Sequence, residues 1–253
     1  MTHSVKFDVQ VVEDAEALSR AAAAAIVHRV SETLQKQEFF TIALSGGSTP
    51  RLLYALLATD ASLREEVDWG KIHFLWGDER YVPPDHPDSN YRLANEAMLS
   101  RVPVPAANIH RVRSEDPDVR KVAEAYEQEV RLLFKLGAGE LPRLDCVLLG
   151  MGPDGHTASL FPGTTALNEK ERLVVANWVE KLRTYRITMT APVLNNAHSI
   201  MFLVGGEEKA ETLREVLQGE RQPERFPSQL IQPTQGKLLW LIDKAASQLL
   251  NKD

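Results

Sequence analysis

The sequence predicts an α/β fold with a doubly wound, mostly parallel sheet flanked by helices, Rossmann-like in its winding. Three observations point there. Short apolar runs at 39–44, 71–76, 144–149, 199–204 and 237–242 alternate with stretches whose apolar residues recur at helical spacing. The runs at 144–149 and 199–204 are apolar on nearly every residue, as strands covered on both faces must be. Several runs end directly in a turn bearing glycine, at Gly46, Gly77, Gly150 and Gly205. That is the carboxyl edge of an open sheet, where ligands bind.

Each element has its own signal. Residues 5–12 alternate and read as an edge strand. Asp14 can cap a helix running to about Gln37, with Ala17, Leu18, Ala21, Ala25 and Val30 on its apolar positions. Pro50 suits the first turn of a helix carrying Leu52, Leu53, Leu56 and Leu57. A proline-rich loop at 82–90 leads into a helix over 91–100. Residues 118–136 form a long amphipathic helix through Val119, Val122, Tyr126, Val130 and Leu133. Strands are expected at 172–179, partly charged and therefore at an edge, and at 186–190. A helix over 207–218 follows Gly205-Gly206, a connector with three prolines spans 219–233, and a helix at 244–250 closes the chain. With no internal repeat and no composition break, residues 1–253 read as one domain.

Composition narrows the function classes. Hydrophobic residues make up 43% of the 253 and charged residues 25%, ordinary for a soluble globular protein. A net charge of −6 argues against a broad nucleic-acid or anionic-membrane surface, though not against a local site for a small anion. The single cysteine, Cys146, excludes an internal disulfide and a thiolate zinc site. His86, His110 and His198 show no metal-ligand spacing and read as loop or boundary residues. There is no secretory leader pattern, so a cytoplasmic protein is expected. No metal or cofactor is expected, and the oligomeric state is left at monomer or small homo-oligomer.

Four stretches could carry chemistry. In Ser45-Gly46-Gly47-Ser48-Thr49-Pro50 the glycines bring N–H groups toward a ligand, Ser48 and Thr49 add hydroxyl donors, and the helix dipole favours phosphate. The lysine of a Walker loop is missing, and a plain capped helix is the other reading. Gly77-Asp78-Glu79-Arg80 could hold sugar hydroxyls and, through Arg80, a phosphate oxygen; a solvated charge pair competes. In Gly150-Met151-Gly152-Pro153-Asp154-Gly155-His156, the imidazole of His156 is a candidate general base with Asp154 to orient it. The competing reading is a surface histidine beside an Asp-Gly turn. The basic segment at 181–186, with Lys181, Arg183 and Arg186, and Lys209 after Gly205-Gly206, could supply cations or simply lie at the surface.

Together, S-G-G-S-T-P at 45–50, G-D-E-R-Y-V-P at 77–83, G-M-G-P-D-G-H-T-A-S-L-F-P at 150–162 and R-I-T at 186–188 resemble the 6-phosphogluconolactonase family, in order and in register. That family shares its fold with glucosamine-6-phosphate deaminases. Deaminases carry an asparagine–glutamate pair shortly after the histidine, where this chain has Ser159-Leu160-Phe161-Pro162. Their Asp-Glu pair runs directly into tyrosine, whereas Arg80 intervenes here.

The resemblance implies hydrolysis of 6-phospho-D-glucono-1,5-lactone to 6-phosphogluconate, the second step of the oxidative pentose phosphate pathway. It implies His156 as the base activating water and Asp154 as its orienting carboxylate. Gly46, Gly47, Ser48, Thr49, Asp78, Arg80, Arg186 and Lys209 would bind the substrate, with the choice among Lys181, Arg183, Arg186 and Lys209 for the phosphate left open. The alternatives are a deaminase with Asp78 as base and a sugar-phosphate-binding protein without chemistry. A serine hydrolase on Ser45 or Ser48 lacks the G-x-S-x-G elbow.

Overall fold

A computed structural model describes residues 7–251, and within them strands and helices alternate as the apolar runs require. In chain order they are β1 (Asp8–Val12), α1 (Ala15–Leu34), β2 (Phe40–Leu44), α2 (Ser48–Thr59), the single turn α3 (Ala61–Arg64), β3 (Ile72–Trp76), β4 (Asp78–Arg80) and α4 (Asn90–Ala97). Then follow α5 (Val119–Leu133), β5 (Cys146–Leu149), β6 (Val174–Val179), β7 (Thr184–Met189), α6 (Ala191–Asn195), β8 (Ser199–Val204), α7 (Ala210–Gln218), β9 (Lys237–Asp243) and α8 (Lys244–Ser247).

Six strands form one parallel sheet in the order β1-β9-β8-β5-β2-β3. The three central strands β8, β5 and β2 are buried along their whole length, which is why their sequences are unbroken apolar runs. From β2 the chain winds outward to β3, and from β5 it winds the other way through β8 to β9. The switch point lies between β2 and β5, so the loops after these two strands flank a crevice.

A buried carboxylate fastens that junction. Asp145, just ahead of β5, accepts hydrogen bonds from the Thr41 amide at 2.8 Å and the Thr41 hydroxyl at 2.7 Å. The same hydroxyl accepts from the Asp145 amide at 3.0 Å. Two tyrosines hold the strand ends in a matching way. The Ser45 amide donates to the Tyr54 hydroxyl, which donates to the Ser45 carbonyl; Tyr126 does the same for Trp76.

The expected elements are present, with shifted ends. The first helix stops at Leu34, three residues early, the fourth starts one residue early at Asn90, and the last is a single turn. Of the expected strand at 5–12, Asp8–Val12 forms β1 at the sheet edge, while Val5 and Lys6 lie outside the described residues.

Two readings are corrected. Residues 78–80 are a strand, not only a turn, and with β7 and β6 they form a separate antiparallel sheet in the order β4-β7-β6. The cause is pairing with a segment over a hundred residues away, which local pattern does not encode. His110 is also not a lone boundary residue. Its Nδ1 meets Glu129 Oε1 at 2.9 Å and its Nε2 meets His73 Nδ1 at 2.9 Å. Both partners come from elements, β3 and α5, distant in sequence.

Replacing Asp145 with alanine leaves the Thr41 amide and hydroxyl buried without their acceptor. Asp145→Ala is therefore expected to lower the unfolding free energy by about 2–4 kcal/mol in urea titrations. A loss below about 0.5 kcal/mol would show that the β2–β5 junction does not depend on it.

Candidate active site

The carboxyl ends of β2, β3, β5 and β8 open onto a cavity of about 240 Å3. Ser45, Gly46, Gly47, Ser48, Thr49, Asp78, Arg80, Asn90, Gly152, His156 and Lys209 contribute to its wall. Three of the four stretches singled out in the sequence, with Lys209, are thus brought to one place; no residue of 181–186 contributes to the wall.

The glycine loop supplies one side. Gly47 is the N-cap of α2, at a left-handed φ of 112°, and no side chain caps the helix. The amides of the first turn therefore remain available to an anion. Gly46 is required for space, since a Cβ there would collide with Asn90 Oδ1.

Strand alternation explains the Asp-Glu-Arg run. In β4 the side chains of Asp78 and Arg80 share one face and Glu79 takes the other. Glu79 is buried and turned toward α4, where it accepts from the amides of Asn90 at 2.7 Å and Tyr91 at 2.8 Å. Burial pushes its carboxyl above the usual range, against the pull of these amides. It caps a helix and does not face the cleft. Asp78 accepts from Ser159 Oγ at 2.6 Å, and Asn90 Nδ2 donates to its carbonyl at 2.9 Å.

Arg80 pairs across the small sheet with Arg186. The Arg80 guanidinium donates to the Asp88 carbonyl at 2.7 Å, and that of Arg186 to the Tyr185 carbonyl at 3.3 Å. Among the described residues neither forms an ion pair with a carboxylate, and nor does Lys209, at the N-cap of α7. A cation at that helix end opposes the dipole. Burial lowers the affinity of both Arg186 and Lys209 for their protons. Arg80 and Lys209 line the cleft, and Arg186 is the cross-strand partner of Arg80. Of the other cations left open by the sequence, Lys181 is engaged with Asp154, and Arg183 is exposed at a left-handed turn with φ 51°.

His156 sits on a loop fastened at several points. Its carbonyl accepts from the Gly152 amide, and the Gly155 carbonyl accepts from the amide and hydroxyl of Ser228. Thr157 Oγ1 donates to the Gly150 carbonyl, and Ala158 is held at a left-handed φ of 46°. His156 Nδ1 lies 2.5 Å from Asp154 Oδ1, and the ring stacks on Phe161 with centroids 4.0 Å apart. Lys181 pairs with the second oxygen of Asp154. An ionised Asp154 can only accept, which assigns the proton to Nδ1 and leaves the Nε2 lone pair free of protein partners.

Burial lowers the affinity of this imidazole for a second proton, and Lys209, Arg186 and Arg80 lower it further against the opposing charge of Asp78. The result is a pKa of about 4 in place of 6.5. The sequence pattern missed Asn90 as a member of this assembly, and it gave Ser159 and Phe161 only as part of the motif at 150–162 and Lys181 only as a candidate cation. Their partners are set by tertiary contacts between segments distant in sequence.

The model of the family described as glucosamine-6-phosphate isomerases/6-phosphogluconolactonase matches residues 13–240. This chain belongs to that family. A protein of Nostoc sp. named 6-phosphogluconolactonase is 45% identical over 247 residues, spanning 98% of this chain and 100% of its own length. One of Synechocystis sp. with the same name is 43% identical over 242 residues, spanning 96% and 98%. Among solved structures, 6-phosphogluconolactonase from Trypanosoma brucei superposes with a TM-score of 0.85 at 29% identity, covering 98% of this chain and 100% of its own. A monomeric glucosamine-6-phosphate deaminase superposes with a TM-score of 0.81 at 22% identity, a likeness of fold. No described helix is long and apolar enough to cross a membrane.

The depressed imidazole pKa has a measurable consequence. Between pH 6.5 and about 4 the folded chain binds fewer protons at His156 than the unfolded chain does. The stability from this group is complete above the unfolded value and is lost as pH falls toward 4. The His156 Cε1 proton resonance is expected to titrate with a midpoint near 4, and Lys209→Met to move it upward. A midpoint at or above the ordinary 6.5 would mean that the Asp154 carboxylate outweighs burial and the cations.

Proposed function

We propose that the chain hydrolyses 6-phospho-D-glucono-1,5-lactone to 6-phospho-D-gluconate, the second step of the oxidative pentose phosphate pathway. One observation carries this reading. A neutral imidazole with a free Nε2, backed by Asp154, shares a cleft with cations that lack carboxylate partners. The names of the relatives support the same choice of substrate.

In the proposed reaction, the phosphate lies among Arg80, Arg186 and Lys209 and the amides of the Ser48–Thr59 helix end, with Ser48 and Thr49 as hydroxyl donors. Gly46 and Gly47 let it approach the backbone. Asp78 accepts from sugar hydroxyls. This remote anchoring places the ring carbonyl against water and His156. Water adds to C1 while its proton passes to Nε2, giving a tetrahedral oxyanion and an imidazolium stabilised by Asp154. The oxyanion re-forms the carbonyl, the C1–ring oxygen bond breaks, and the imidazolium returns its proton to the departing oxygen. The new carboxylic acid ionises and releases one proton to solvent.

The phosphate does more than position. Part of what holds the free imidazole near pKa 4 is the field of the three cations. A bound phosphate dianion offsets that field, so the base strengthens as substrate arrives. The base is then better matched to neutral pH in the complex than in the free enzyme.

The deciding assay follows proton release from freshly generated 6-phosphogluconolactone against its spontaneous opening, with unphosphorylated gluconolactone alongside. Acceleration of the phosphorylated lactone alone is expected. Opening of neither, with ammonia released from glucosamine 6-phosphate, would replace this reading by the deaminase one. His156→Ala is expected to lower kcat by about a hundredfold or more while 6-phosphogluconate still binds. Arg186→Ala should mainly raise KM, and unchanged turnover in the histidine variant would remove His156 from the role of base.

A further inference from the structure

The turn between β6 and β7 brings Lys181 to Asp154, 27 residues away along the chain. The hairpin that carries it is firm. Its strands pair over six residues, from Val174 opposite Met189 to Val179 opposite Thr184. Trp178 and Tyr185 meet across it with ring centroids 5.0 Å apart. The turn closes through the Arg183 amide, which donates to the Glu180 carbonyl at 3.1 Å. Glu180, the acid next to Lys181 in the chain, accepts from Trp178 Nε1 at 2.7 Å. Among the described residues Lys181 forms an ion pair with Asp154 alone.

Lys181 touches both groups that hold the imidazole. Asp154 takes His156 Nδ1 on one oxygen, at 2.5 Å, and Lys181 Nζ on the other. Phe161, on which the imidazole stacks with centroids 4.0 Å apart, has the same Nζ 5.1 Å from its ring centroid. A carboxylate so close to an imidazole favours the imidazolium, and a cation on its second oxygen takes back part of that preference. The other charged groups acting on His156 are Asp78 and Arg80 from β4, Arg186 from β7 and Lys209 at the N-cap of α7. None of these four forms an ion pair with Asp154. Arg80, Arg186 and Lys209 lack a carboxylate partner among the described residues, whereas the ammonium of Lys181 is already spent on one.

We propose that Lys181 is a positioning residue: it acts on His156 through Asp154, holding the carboxylate against the ring and offsetting part of its charge, and it does not bind the phosphate. The assignment rests on the lactonase reading given above. A carboxylate held on both oxygens cannot turn away from Nδ1, so the Nε2 lone pair keeps its direction toward the attacking water. An Asp154 without its cation would leave the imidazole holding a proton nearer to neutral pH, where a base must be free.

Lys181→Met tests this without endangering the fold, because the lysine side chain is 52% exposed. The His156 Cε1 resonance is expected to titrate about one pH unit or more above the wild type. The acid limb of kcat should rise with it, and kcat on its plateau should fall about tenfold. KM and the affinity for 6-phosphogluconate, measured by calorimetry, should stay within about twofold. Lys181→Arg, which keeps the cation, should restore both the titration and the turnover. In an Asp154→Asn background, Lys181→Met should lose most of its effect on either, since the path runs through the carboxylate.

An affinity for 6-phosphogluconate weakened about tenfold in Lys181→Met, with kcat intact, would overturn the proposal and make Lys181 a phosphate ligand. An unmoved or lowered His156 midpoint, or an unmoved kcat profile, would overturn it and return Lys181 to the surface. The titration does not depend on turnover, so the two readings fail separately. Lactone opening with an unmoved midpoint would retire this assignment alone. A raised midpoint in a chain that opens no lactone would keep the coupling of Lys181 to His156 and retire the hydrolase reading.

Discussion

Arg80 and Arg186 are directly opposed residues of the small antiparallel sheet, and among the described residues neither forms an ion pair with a carboxylate. Like charges in that position are unfavourable, and a protein of net charge −6 has acids enough to neutralise them. The nearest acid in sequence, Glu79, is instead sent to the other face of the strand by the two-residue period, where it caps α4. Asp78, on the cleft side, is drawn toward Ser159. The pair therefore keeps its charge deficit, and Lys209 at the wrong end of a helix adds to it. The phosphate of the proposed substrate would supply the counter-charge that these cations do not take from ion pairs within the protein.

The same cations reach the chemistry. They lower the basicity of His156 along with burial, so the free site holds a neutral imidazole on Asp154. In the proposed reaction, an anion that satisfies the cations would also restore the strength of the base, so recognition and activation would share one electrostatic cause. What makes the coupling possible is rigidity. The His156 loop is tied through Gly150, Gly152, Gly155 and Ser228, and the glycine loop is tied through Tyr54. Groups held this firmly cannot swing away to pair with one another or with solvent.

Much of this was legible in the sequence because it is written locally. Short apolar runs bounded by turn residues read as strands covered on both faces, and a glycine turn after four of the five marks a ligand edge. Parallel topology, the glycine loop at 45–50 and the histidine turn at 150–156 follow from periodicity and turn chemistry alone. The pairing of Asp78–Arg80 with Thr184–Met189 does not, because it joins segments more than a hundred residues apart through backbone bonds that any sequence can make. That one long-range pairing decided which of the candidate cations, Arg186, stands across from Arg80. It also turned Glu79 away from the cleft and brought Asp78 to Ser159. The sequence by itself determined the sheet, the loops and the chemical types gathered at its edge; the tertiary structure decided the partners, because partnership is set by distances in space.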